Sequence, residues 1–245
     1  MNSHVVGLGH RQLFRGISKH RPFNFSKALL HGCNQQAVKN SILALRRGPI
    51  RYRRNAVIVC EGDPTEYVFL VVSGVVRSCR TYQDGGRHIV AFHFPGELFG
   101  WSGDLIHSLS VEAATDALVL FLKRSTLLAI AIQDCRIASY LLASTKNELE
   151  RAQEHSLLLT RPAHCRVATF LIDLSMRLGN PKQLYLPIPH RDIADHLGLT
   201  IETLSRTITK LEKSGSIARA SRRTLVLLNT RPKTLRSANV QSNFV

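Results

Sequence analysis

The chain has 245 residues with 44% hydrophobic and 20% charged residues, which is a globular composition and excludes a fully disordered chain or a fibrous repeat. It contains no apolar run of about 18 residues and no hydrophobic stretch of signal-peptide type near its start, so we expect neither a membrane span nor export. Its five cysteines are scattered and form no disulfide framework, which favours a reducing cytoplasm.

The net charge of +16 is concentrated at the two ends of the chain. Residues 1–54 hold 11 basic and no acidic residues, residues 55–159 hold 8 basic and 12 acidic residues, and residues 160–245 hold 14 and 5. Such an excess predicts a polyanionic partner, either nucleic acid or an acidic membrane surface. Residues 1–40 lack periodicity and are predicted to be a flexible basic tail, with contact to phosphate as the alternative. A short amphipathic helix is expected from Ala37.

Between Ala56 and Lys123, short β-branched and aromatic runs alternate with turn residues. The runs are Val57–Val59, Val68–Val72, Gly74–Val76, Ile89–Phe92 and Leu118–Leu122. The Asp84-Gly85-Gly86 sequence is a hairpin signal. Short strands at nearly even spacing predict an antiparallel sandwich or barrel over residues 41–133.

From Arg124 to about Thr160 the sequence contains neither Gly nor Pro and predicts a short helix followed by a long one. Residues spaced alternately by four and three form a seam like that of a coiled coil: Ala138, Leu142, Thr145, Leu149, Ala152, Ser156 and Leu159. The seam is either a dimer contact over residues 134–160 or one face packed on its own domain. Arg161-Pro162 ends this helix, and Ala163 to Leu178 is predicted to be a second amphipathic helix.

The segment from His190 to Lys213 predicts a helix-turn-helix within a DNA-binding domain at 161–230. Ala194 permits close helix approach, Gly198 can end the first helix in the left-handed conformation, and Thr200 is a good N-cap. The recognition helix would then span 200–213. Its candidate DNA-contacting residues are Thr200, Ile201, Glu202, Ser205, Arg206, Thr209 and Lys210.

Glu202 and Arg206 lie four residues apart and share one helix face, where they can read bases or merely form a surface ion pair. Four further basic residues are either phosphate contacts or solvated charges: Lys213, Arg219, Arg222 and Arg223. Ser216–Ala218 and Thr224–Leu227 are predicted to form a two-stranded wing. The polar residues 231–245 are predicted to be a flexible tail.

Residues 45–228 resemble the CRP/FNR superfamily of bacterial transcription regulators. The resemblance is carried by EGDPTEYVFLVVSGVVR and DGGRHIVAFHFPGELFGW in the strand region and by DIADHLGLTIETLSRTITKLE in the helix-turn-helix. It implies an α+β fold with a cyclic-nucleotide-binding-type antiparallel β-roll, a long dimerisation helix and a C-terminal winged helix-turn-helix. Glu202-Thr203-Leu204-Ser205-Arg206 is similar to the E-x-x-S-R motif of the FNR/FixK branch.

The resemblance further implies a homodimer joined through residues 134–159, binding to an inverted repeat of TTGAT-like half-sites, and recruitment of RNA polymerase as an activator. Glu202 and Arg206 would read a G·C pair, and Ser205 would contact a neighbouring base. The implied regulon is one of low oxygen or nitrogen fixation.

Departures from the superfamily patterns indicate which signal is sensed. The loop 99–108 has Trp101 near the position of a ligand-binding Glu and no Arg to pair with a cyclic phosphate. Only Cys33 precedes the strand region, so an iron–sulfur cluster is disfavoured. Cys60 and Cys79 are expected to be buried in strands, whereas Cys165, near Arg161, His164 and Arg166, is the candidate redox-sensitive thiol.

We therefore expect a FixK-like regulator with no cofactor, no metal and no bound effector, although haem ligation by one of the histidines stays open. The alternatives are an effector- or redox-gated regulator of the same superfamily, or a regulatory β-roll acting on a protein partner. The sequence contains no Gly-rich phosphate loop, zinc motif or nucleophile elbow, so an enzyme is not expected.

Overall fold

The computed structural model describes residues 47–83, 85–101, 105–180, 183–221 and 224–228. The predicted basic tail at 1–40, the short helix beginning at Ala37 and the polar segment 231–245 lie outside these residues. Eight strands come first: β1 (Arg47–Tyr52), β2 (Val57–Val59), β3 (Tyr67–Ser73), β4 (Val76–Thr81), β5 (Arg87–His93), β6 (Leu98–Phe99), β7 (Ser110–Ala113) and β8 (Ala117–Lys123).

These strands form two four-stranded antiparallel sheets, in the orders β1-β8-β3-β6 and β2-β7-β4-β5, and this is the β-roll. Small and aromatic apolar residues fill the space between the sheets, among them Phe69, Val76, Phe99 and Val119. Gly74 turns the chain between β3 and β4 with φ 80°, and a Cβ at that position would lie 2.2 Å from the backbone oxygen of Asp116. No other residue type fits this turn without displacing backbone.

Strand β1 was not predicted from the sequence, and its composition explains why. Its RGPIRY sequence contains Gly48-Pro49, residues that weaken a strand signal. The structure places β1 at the edge of its sheet, where a missing backbone donor is tolerated. The sequence also missed the short strands β6 and β7, and the predicted strand at Gly74 begins two residues later, at Val76.

The remaining elements are helical with a small third sheet. They are α1 (Arg124–Gln133), α2 (Cys135–Leu159), α3 (Ala163–Arg177), β9 (Gln183–Tyr185), α4 (His190–Leu197), α5 (Ile201–Lys213), β10 (Ile217–Ser221) and β11 (Thr224–Leu227). The wing strands β10 and β11 pair as expected, and β9 adds a third strand that the sequence did not reveal. The predicted α+β class, with roll, long helix and winged helix-turn-helix, is confirmed.

One apolar cluster continues from the roll into the helix-turn-helix. It joins Ile89 and Phe92 of β5 to Phe170 and Leu174 of α3 and to Leu197 of α4. Successive side chains of β4 point to opposite faces of its sheet, so this strand contributes to both apolar clusters. Val76 faces the inside of the roll, while Arg77 and Cys79 face the helix-turn-helix. The helix-turn-helix is therefore packed directly on the β4–β5 face of the roll.

Candidate nucleic-acid interface

The turn between α4 and α5 has the geometry of a helix-turn-helix. Gly198 ends α4 in the left-handed region with φ 60° and ψ 43°, and the backbone N–H of Leu199 donates to the carbonyl of Ala194 at 3.0 Å. Thr200 then caps α5, because its hydroxyl oxygen accepts a hydrogen bond from the backbone N–H of Thr203 at 3.1 Å. The three residues that the sequence singled out for the turn therefore occupy the positions that the turn needs.

A brace on this turn was missed by the sequence analysis. Arg166 of α3 donates from Nη1 to the backbone carbonyls of Leu197 at 2.9 Å and Gly198 at 3.3 Å, and from Nε to the carbonyl of Arg161 at 2.6 Å. The Leu197 and Gly198 oxygens belong to the end of α4, where carbonyls have no partner within the helix. Arg166 thus ties α3 to the turn between the two helices, at a separation of 31 residues that no local pattern encodes.

The α5 helix divides cleanly into a buried and an exposed face. Leu204, Thr207 and Ile208 are buried against the apolar cluster. All seven candidate contact residues are exposed: Thr200, Ile201, Glu202, Ser205, Arg206, Thr209 and Lys210. A recognition helix must offer an outward face of this kind to a DNA groove, and all of these side chains except Ile201 are polar.

Glu202 and Arg206 stand on this face without a close ion pair, since none of the ion pairs formed by the described residues joins them. The pKa of Glu202 is lowered by hydrogen bonds with its own backbone N–H and with the Thr200 side chain, and further by the positive charge of Arg206. The carboxylate is therefore ionised and acceptor-only, as hydrogen bonding to a cytosine amino group requires. The interpretation as a simple surface ion pair is not supported.

The other basic candidates differ from one another. Lys213 is exposed at the end of α5. Arg219 of β10 donates from Nε to Glu212 Oε1 at 2.7 Å, so it ties the wing to the recognition helix. Arg222 and Arg223 lie outside the described residues.

Two family models match this chain: the cyclic nucleotide-binding domain over residues 49–134 and the Crp-like helix-turn-helix domain over residues 165–233. The nitrogen fixation regulation protein FixK of Azorhizobium caulinodans is 42% identical over 200 residues, which cover 79% of this chain and 81% of that protein. FixK of Rhizobium meliloti is 38% identical over 187 residues, covering 76% and 84%. The chain belongs to the CRP/FNR family of transcription regulators. The solved structure of FixK2 from Bradyrhizobium japonicum, 42% identical, agrees with a TM-score of 0.71 over 76% of this chain and 93% of that one.

Within the CRP/FNR family the chain is of the FixK/FNR type, and its helix-turn-helix is a DNA-binding element. The predicted family resemblance is thereby confirmed. In the described part of the chain, no helix has the length and apolar character that crossing a bilayer requires.

The long helix of this CRP/FNR protein has two unlike faces. Ile137, Tyr140 and Leu141 are buried against the roll. Six of the seven seam residues are exposed, with Leu142 65% and Leu149 58% accessible, and Leu159 is half-buried. The alternative that the seam packs on its own domain is therefore not what the structure contains.

The interior of the roll is lined by aromatic rings. Phe69 stacks on Phe99 with ring centroids 5.1 Å apart, and Phe121 meets Phe69 edge-on at 4.9 Å. His93 stacks on Phe99 at 5.1 Å and shares a 2.8 Å hydrogen bond with Ser78. Burial lowers the pKa of His93 to about 4, so this imidazole is neutral at physiological pH.

The cysteines fall into different environments. Cys79 is buried on β4, where desolvation raises the pKa of its thiol to about 11. Cys60 is exposed, so the expectation that it is buried in a strand was wrong: β2 ends at Val59, and Cys60 leads into the following turn, where its backbone N–H donates to the Asp63 carboxylate at 2.7 Å. The candidate redox residue Cys165 lies in the first turn of α3, half-buried, with Sγ 3.3 Å from Nε2 of His164.

Proposed function

We propose that this FixK/FNR-type regulator is a transcription activator that binds an inverted repeat of TTGAT-type half-sites as a homodimer and recruits RNA polymerase. It acts in the cytoplasm, has no enzymatic activity and needs no bound effector. The observation that carries the proposal is the outward face of α5, because Glu202, Ser205 and Arg206 of the E-x-x-S-R motif are all exposed there. The contact set consists of these three residues with Thr200, Ile201, Thr209 and Lys210.

The exposed seam of α2 supports the homodimer. Leu142 and Leu149 are apolar side chains on a helix whose opposite face already packs on the roll. A stripe of this kind is covered when a second copy of the helix packs against it. The pairing would relate two recognition helices by a two-fold axis, which an inverted repeat matches.

The filled interior of the roll supports action without an effector. The rings of Phe69, Phe99 and Phe121 occupy the space between the sheets, and a Cβ on Gly100 would come within 2.7 Å of the Phe69 ring. A ligand would need to displace packed aromatic side chains, which costs the dispersion contacts that they make. The roll then serves as a structural platform.

Fluorescence anisotropy of the purified protein, without added ligand, tests this function. The probes are a duplex with a TTGAT-type inverted repeat and a scrambled duplex of the same composition, each at two salt concentrations. We expect selective binding to the repeat and a steep loss of affinity with salt, because each neutralised phosphate releases counterion. Equal and weak binding to both duplexes would contradict the proposal. A loss of binding on oxidation that a Cys165→Ser variant resists would favour the redox-gated alternative.

A further inference from the structure

Four charged residues join the roll to the first helix of the helix-turn-helix, and we call them the roll–helix clamp. Arg77 of β4 and Arg87 of β5 face Asp192 and Asp195 of α4. Arg77 Nη1 lies 2.5 Å from Asp192 Oδ2, and Arg87 Nη2 lies 2.7 Å from both Asp192 Oδ1 and Asp195 Oδ2. Asp192 thus bridges the two arginines with its two carboxylate oxygens.

The clamp is largely shielded from solvent and tied to the roll. The side chains of Arg77 and Asp192 are 3% and 4% exposed. Glu112 of β7 holds Arg77 from the other side, accepting from Nε at 2.9 Å and from Nη2 at 2.6 Å. Charge pairs in such an environment are screened little by salt and depend strongly on geometry.

The clamp restricts the orientation of α4 on the roll, in an interface that is otherwise apolar. Ile89 and Phe92 of β5 pack on the same helices, but apolar burial is non-directional and tolerates sliding or rotation. Paired guanidinium and carboxylate groups hold their partners at fixed distances and angles. A second contact of this kind lies beside it, where Arg177 of α3 donates to Glu97 Oε2 at 2.8 Å and to the carbonyl of Phe92 at 2.6 Å.

The angle of α4 on the roll matters because α5 is fixed to α4. Gly198 and the Thr200 cap leave no flexible linker between the two helices. In a dimer, the separation of two recognition helices sets the half-site spacing that can be bound. A rotation of the helix-turn-helix on the roll would therefore change the spacing.

We propose that Arg87 and Asp195, supported by Arg77 and Asp192, act as positioning residues that fix the recognition helix and so set the half-site spacing that the dimer selects. This rests on the proposed binding of an inverted repeat by a homodimer. It also explains how the roll can keep the helix-turn-helix ready for DNA without a ligand.

The experiment compares Arg87→Gln and Asp195→Asn in the full chain on three duplexes, which have the preferred spacing or a spacer lengthened by one or two base pairs. Both variants remove a partly exposed member of the clamp and leave the buried pair of Arg77 and Asp192 in place. We expect the preference of the wild type for one spacing to fall by about three- to tenfold in both. Arg80→Gln is the matched control, because Arg80 lies on β4 and pairs with Glu61 within the roll.

The two substitutions change the net charge in opposite directions. Arg87→Gln removes a positive charge and Asp195→Asn a negative one, so long-range electrostatics should shift overall affinity in opposite senses. Loss of the clamp should instead lower the preference for one spacing in both variants. Opposite shifts in the preference, or none, would contradict the positioning role. The Arg87→Lys variant keeps the charge but lacks the forked guanidinium, so its preference should lie between that of the wild type and that of Arg87→Gln.

Hydrogen–deuterium exchange without DNA separates this inference from the proposed function. We expect faster amide exchange in β5 and α4 of both variants but not of Arg80→Gln. A wild type with no spacing preference would contradict the proposed function and the spacing role together, while faster exchange would still identify the clamp. Unchanged preference in variants of a spacing-selective wild type would contradict the inference alone.

Discussion

Charged side chains on the two helices of the helix-turn-helix lie in opposite environments, paired and shielded on α4 but exposed on α5. Asp192 and Asp195 of α4 point at the roll, and both are paired with arginine side chains there. Glu202 and Arg206 of α5 point outward, exposed and without a close ion pair between them. The first arrangement fixes a helix in place, because paired groups in a shielded site hold their geometry. The second leaves donors and acceptors available to a partner.

The largest expected effect compares adjacent residues on the two faces of α5. Leu204 is fully buried in the apolar cluster, whereas Ser205 is exposed. Leu204→Ala should lower the free energy of unfolding by about 2–5 kcal/mol, because it removes packed atoms and leaves a cavity. Ser205→Ala should change it by less than about 0.5 kcal/mol. Urea denaturation of both variants measures the difference, and equal losses would show that the two faces are assigned wrongly.

The sequence predicts this helix-turn-helix well because its signals are local. Gly198, Thr200 and the spacing of Ile193, Leu197 and Leu204 all lie within one short segment, and each acts on its neighbours in the chain. The candidate contact face follows from the same periodicity, so the exposure of all seven candidate residues agrees with the sequence pattern.

The roll–helix clamp could not be predicted in the same way. Arg77 and Asp192 are 115 residues apart. The VRSCRT sequence of β4 carries no periodic sign that Arg77 is buried while Arg80 is partly exposed. Which face of β4 is covered depends on how α4 docks, and this is a tertiary fact. The brace from Arg166 to the turn was hidden for the same reason, because its partners are backbone carbonyls.

Removing Arg206 should affect DNA binding without affecting the fold. Its exposed guanidinium can donate to guanine O6 and N7, so Arg206→Ala should cost about 1–3 kcal/mol on the specific site and relax base choice there. Anisotropy on the TTGAT-type duplex and on duplexes with one altered base pair measures both effects. Unfolding by urea should match the wild type, because Arg206 is exposed. Unchanged affinity and base preference would mean that α5 does not read the bases.

Because a histidine is buried where α4 packs on the roll, we expect the protein to lose stability in mild acid. His196 of α4 donates from Nδ1 to the carbonyl of Ile89 at 2.9 Å, and its ring stacks on that of His155 of α2 at 4.0 Å. Desolvation by burial lowers the pKa of His196 to about 3, helped by the nearby His155, Arg177 and His88.

The lowered pKa of His196 determines whether stability rises or falls as the pH decreases. In the unfolded chain His196 regains its usual pKa and binds a proton below about pH 6.5, whereas the folded protein keeps the ring neutral down to about pH 3. The contribution of neutral His196 to the free energy of unfolding is therefore complete above about pH 6.5 and decreases between pH 6.5 and about pH 3. Between pH 7 and pH 5 this loss is on the order of 2 kcal/mol. His196→Asn, which retains a donor toward Ile89, should flatten the slope. A slope equal to that of the wild type would assign the acid sensitivity to other groups, such as His93 and His155.

The smallest expected effect concerns the salt dependence of DNA binding, in which two exposed basic residues should differ. The guanidinium of Arg219 is already engaged by Glu212 at 2.7 Å, whereas Lys213 is exposed at the end of α5. Arg219→Gln should change the free energy of unfolding by less than about 0.5 kcal/mol, because exposed ion pairs contribute little. It should also leave the slope of log affinity against log salt unchanged, while Lys213→Gln should reduce that slope by about one. If Arg219→Gln flattened the slope instead, Arg219 would leave Glu212 on binding and contact phosphate, and the wing would join α5 as part of the DNA-binding surface.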